Sequence, residues 1–81
     1  MSEILLLKAK LAAKKQELEE LKLKVENHVI TIRELLDPYL DDFLDIEIDQ
    51  ASVAFQDLTR LISEGLQLKK TIHKMEHDLN G

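Results

Sequence analysis

The sequence predicts an all-α protein: an antiparallel helical hairpin, two long helices sharing a heptad seam, which dimerises into a four-helix bundle. Three observations predict it. Apolar residues recur at heptad spacing over residues 4–35 and again over 51–79. One Pro and two Gly in 81 residues favour long uninterrupted helices over frequent turns. Pro38 stands between the two heptad stretches, where a missing N–H ends one helix and permits a reversal.

The first helix is expected over residues 3–36. Ser2 is its N-cap, because the hydroxyl can accept a backbone N–H that the first turn leaves free. With Ile4 at position a, the a positions are Ile4, Leu11, Leu18, Val25 and Ile32, and the d positions are Leu7, Lys14, Leu21, His28 and Leu35. Eight of these ten are apolar, so one seam faces a partner helix along a rod of roughly 50 Å.

Residues 37–49 form the connector. Asp37 before Pro38 reads as the cap and first position of a short amphipathic helix over 38–44, with Leu40, Phe43 and Leu44 on one side. Residues 45–49 alternate polar and apolar. Five residues without a partner strand make no sheet, so they are expected to be extended.

The second helix is expected over residues 50–79. Asp49 is its N-cap, and Ile48 and Val53 clasp across the start. Its a positions are Ala51, Leu58, Gly65, Ile72 and Leu79, and its d positions are Ala54, Leu61, Leu68 and Met75; Asn80-Gly81 suits a left-handed C-cap. In an antiparallel pair a faces d. The expected register joins Leu7 to Leu79, Leu11 to Met75, Leu18 to Leu68, Leu21 to Gly65, Val25 to Leu61, Ile32 to Ala54 and Leu35 to Ala51. It also brings Lys24 near Glu64 and Lys10 near Asp78, although exposed pairs add only about 0.3–1 kcal/mol each.

A chain this short buries a modest fraction of its surface and often needs a second copy. Apolar residues are left over outside the seam: Leu5, Leu6, Leu23, Val29, Ile30, Leu36, Val53, Phe55, Ile62 and Leu66. Val29, Leu36, Phe55 and Ile62 all fall at position e, in the half nearest the turn. Either residues 38–48 fold back over this flank, or a second protein surface covers it, most simply another copy. The candidate partner-binding residues are therefore Leu23, Val29, Ile30, Leu36, Phe55, Ile62 and Leu66. Charge orients two copies. Residues 1–24 carry six Lys against four Glu, residues 25–49 one Arg against eight acids, and residues 50–81 four bases against four acids, within a net charge of −5. Acidic tips repel, so opposed packing is favoured over parallel packing.

Other chemistries have weaker support. His73 and His77 share a helical face, but no third ligand accompanies them, so no metal or other cofactor is expected. The acids Asp41, Asp42, Asp45, Glu47 and Asp49 do not make a calcium loop, because Gln50 and Gln56 stand where Gly and Glu are needed. His28 and Lys14 read as polar seam residues that set register. Lys8, Lys15 and Lys22 form a stripe at e that could meet phosphates, the basis of an alternative reading as a small nucleic-acid-binding regulator; no aromatics are interleaved and the chain is net acidic. No glycine-rich phosphate loop or nucleophile elbow is present, and two packed helices offer no substrate cavity, so no enzymatic activity is expected. The chain has no Cys and no 18-residue apolar run, and its start has an acid where a signal peptide has a base. It is expected to be cytoplasmic and to act as a structural or adaptor protein through coiled-coil surfaces, as a homodimer, with a second helical protein as the other candidate partner.

Overall fold

The computed structural model describes residues 2–80. Two α-helices of 33 residues each, α1 (Glu3–Leu35) and α2 (Ile48–Asn80), pack against each other. The molecule measures 64 × 15 × 14 Å. A single rod through all 81 residues would run about 120 Å, so the chain reverses and the all-α hairpin stands.

Ser2 caps α1: its Oγ accepts the Ile4 N–H at 3.2 Å. Glu3 in the first turn and Arg33 in the last complement the helix dipole. At the far end the Leu36 N–H donates to the Ile32 carbonyl at 3.0 Å and the Asp37 N–H to the Glu34 carbonyl at 3.3 Å. Pro38 cannot extend this ladder.

The connector differs from the expected short helix. Asp37 caps a turn and not a helix, its Oδ1 accepting the Tyr39 N–H at 3.0 Å. Asp42 repeats the device on the Leu44 N–H at 2.9 Å and opens a single 3₁₀ turn, Phe43–Asp45. Two Asp side chains thus satisfy backbone donors locally and compete with helix formation. The chain reverses without a left-handed residue among the described ones. The fold-back arrangement does not occur. Phe43 and Leu44 remain 76% and 75% exposed, and the 3₁₀ turn packs against neither helix.

The start of α2 also differs. The Ala51 N–H donates to the Glu47 carbonyl at 2.9 Å, which makes Glu47, not Asp49, the capping position. The Gln50 side-chain amide reaches back to Glu47 Oε2 at 3.2 Å. Asp49 lies in the first turn, where its charge still favours the helix dipole. The staple positions move with the cap. Ile48 and Val53 are exposed, and the flanking pair becomes half-buried Ile46 and buried Ala51. At the other end Asn80 is still helical; the cap expected at Gly81 lies outside the described residues.

The seam follows the heptad closely. From Leu7 to Leu35, the only side chains not exposed are those of Leu7, Leu11, Lys14, Leu18, Leu21, Val25, His28, Ile32 and Leu35, all at a or d. Ile4 is exposed, because the register gives it no partner on α2. All nine a and d positions of α2 are buried or half-buried, joined by Asp57 and Glu76. A Cβ placed on Gly65 would lie 3.3 Å from Leu21 Cδ2, the pairing the register requires. A slip of one heptad would set Gly65 against Lys14 or His28 instead. The core is one row deep: its most buried member, Ala51, keeps 3% of its surface.

The expected ion pairs between helices do not form. Among the described residues, ion pairs stay within one helix: Lys14 with Glu17 at 3.5 Å, and Arg60 with Asp57 at 4.0 Å and Glu64 at 3.1 Å. Arg60 sits one turn from Glu64 on the same helix and takes the carboxylate that Lys24 would have met.

Candidate protein–protein interface

Antiparallel pairing gives the hairpin two flanks of opposite character. One is lined by g positions of both helices. Glu17 and Lys24 of α1 share a groove with Glu64 and Thr71 of α2, and Thr31 shares a second with Asp57. Every g residue along this flank is polar, and apolar surface reaches it only from the seam residues beneath and from exposed Val53 at position c. These grooves are open troughs along the seam and not enclosed sites.

The other flank carries the e positions. Near the turn these are Val29, Leu36, Phe55 and Ile62, and all four are exposed, Phe55 at 50% and Ile62 at 46%. Leu66, at the neighbouring b position, extends the strip and is exposed too. Their helices hold them rigidly, since each sits one or two turns from a seam residue. Apolar residues at a, d and e together make the wide stripe of a bundle helix, where a lone two-helix seam needs only a and d. The remaining two candidates face elsewhere. Leu23 and Ile30, at f, lie on the outer face of α1, directed away from α2; Ile30 shares a shallow groove with Arg33, Pro38 and Tyr39. Tyr39 is an exposed apolar contributor that the heptad reading left unassigned, because it lies outside any periodic stretch.

Toward the open end the same e flank turns basic. Lys8, Lys15 and Lys22 of α1 and Lys69 of α2 are exposed along it. Among the described residues, Lys15, Lys22 and Lys69 make no ion pair. The connector is the opposite pole, where Asp41, Asp42, Asp45 and Glu47 are exposed.

Polar seam residues adapt to their places. Nδ1 of half-buried His28 lies 3.0 Å from the Lys24 carbonyl oxygen. A carbonyl only accepts, so Nδ1 is the donor in this contact. Lys14 lays its stem along the seam and pairs with Glu17. His73 and His77 are exposed, and among the described residues no three His, Cys, Asp or Glu side chains converge on one point. No described helix is long and apolar enough to cross a membrane. Comparison with protein-family models, curated proteins and solved structures finds no match for the chain.

Proposed function

We propose that this chain is a non-enzymatic structural or adaptor protein of the cytoplasm that self-associates through the apolar part of its e flank. One observation carries the reading. Five apolar side chains, Val29, Leu36, Phe55, Ile62 and Leu66, stand exposed along one flank, while the opposite flank carries a polar residue at every g position and a single exposed apolar neighbour, Val53. A single hairpin leaves this strip in water, and the connector does not cover it. A second helical surface would turn a core one row deep into the two-layered core of a bundle.

Sedimentation equilibrium at micromolar concentration tests the reading. The wild-type chain is expected at twice its 9.4 kDa mass. Phe55→Glu is expected at the monomer mass with most of its helicity retained, because residue 55 lies outside the seam. A folded wild-type monomer at every concentration would remove self-association. A dimer unaffected by Phe55→Glu would move the interface to another face.

A further inference from the structure

The e flank has two unlike halves, and this constrains how two copies can meet. The turn-proximal half is apolar; the open half carries Lys15, Lys22 and Lys69. If two opposed hairpins overlapped along their full length, the apolar half of each would lie on the lysines of the other, and lysine ammonium groups would lose water against Phe55 and Ile62. Parallel copies would match apolar to apolar but bring two acidic tips together.

We infer that the hairpin forms a staggered antiparallel homodimer in which the turn-proximal two thirds overlap and each acidic tip rests against Lys15, Lys22 and Lys69 of the other copy. The inference rests on the self-association proposed above. A two-fold axis at the level of Val29 lays Val29, Phe55 and Ile62 of each copy on the apolar strip of the other, with Leu36 at the strip's edge between the level of Ile62 and that of Lys22. Each helix is about 50 Å long in a 64 Å hairpin, so the tip reaches roughly 15 Å past the helix ends. Counted back from the axis at about 1.5 Å per residue, the tip of one copy then spans the level of Lys22, Lys69 and Lys15 on the other. The same stagger that matches the apolar strips therefore also matches the charges. Leu66 lies among these lysines, and the tip carries exposed Phe43 and Leu44 to meet it. Glu19, at b of α1, stands at the level of these lysines and offsets one of them, while Glu26 at b and half-buried Glu76 at e border the patch at its two ends. An overlap of about 45 Å across the 15 Å width gives a footprint of roughly 700 Å² per copy, close to the size of stable interfaces.

The test uses the absence of cysteine. Tyr39 is exposed at the tip, so Tyr39→Cys accepts one spin label per chain. Pulsed dipolar spectroscopy of the dimer is expected to read about 40 Å between labels for the stagger, against about 60 Å for full overlap and under about 25 Å for parallel copies. Charge exchange gives a second readout. Lys22→Glu/Lys69→Glu and Asp41→Lys/Asp45→Lys should each weaken self-association at least tenfold. An equimolar mixture of the two should regain dimer formation, because each heterodimer contact then joins opposite charges. A dimer with either other distance, or a mixture no stronger than its components, overturns the stagger and leaves self-association standing. A wild-type chain that stays monomeric overturns both.

Discussion

Leu21 and Gly65 meet across the seam so closely that a Cβ on Gly65 would lie 3.3 Å from Leu21 Cδ2. This is slightly inside ordinary van der Waals contact. The neighbour is the far end of a rotatable side chain on a half-buried leucine, so it can yield by a few tenths of an ångström. Glycine in a helix interior is less favourable than alanine by about 0.8–1 kcal/mol. Gly65→Ala is therefore expected to stabilise the hairpin by about 0.5 kcal/mol, read by urea denaturation. Gly65→Leu should destabilise it, because a full side chain would force the helices apart.

Seam and surface leucines should separate sharply. Leu61 is buried at a d position opposite Val25, and Leu61→Ala is expected to cost about 2–4 kcal/mol. Leu23 is exposed on the outer face of α1, and Leu23→Ala should stay within about 0.5 kcal/mol. Equal losses in thermal or chemical denaturation would mean that the seam has been placed on the wrong face.

Lys14 and His28 are the two polar residues in the α1 seam, and the register sets Ile72 and Leu58 opposite them. Replacing either with Leu fills a half-buried apolar position and is expected to raise stability by about 1 kcal/mol. The loss of the Lys14–Glu17 pair subtracts little, as both partners are largely exposed. The gain should come with weaker register control, visible as heterogeneous cross-helix disulfide trapping when single cysteine pairs are introduced across the seam of Lys14→Leu/His28→Leu.

The connector should tolerate change in its side chains but not in its turn caps. Phe43→Ser/Leu44→Ser removes two exposed side chains and, in the monomeric Phe55→Glu background, is expected to leave the unfolding midpoint of the hairpin nearly unchanged. Asp42→Ala removes the acceptor for the Leu44 N–H and should cost about 1 kcal/mol, by analogy with capping residues. Hydrogen exchange at Leu44 would report the freed amide directly.

Much of the fold is legible from period and punctuation alone. Heptad spacing is a property of sequence order, and a helix projects order onto one face; hence the half-buried and buried residues of α1 coincide with Leu7, Leu11 and their successors. Pro38 marks the break for an equally local reason. Small residues at Gly65 and Ala51 indicate where the helices can approach, and the Leu21–Gly65 contact follows from them. The exposed e-flank residues are located the same way, and the same count places Leu23 and Ile30 at f, on the outer face.

Tertiary structure alone decided the places where several local solutions compete. Asp37, Asp42 and Asp49 all carry competent cap side chains, yet α2 starts after Glu47, and where it starts depends on where the returning chain must meet α1. Burial of Ala51 with Ile46 beside it selects Glu47 for α2, while Asp37 and Asp42 close tight turns. Glu64 had two cations in reach, and the one a single turn away on its own helix took it. The exposure of Phe55 and Ile62 was settled by the path of the connector, which two Asp-capped turns hold away from the flank.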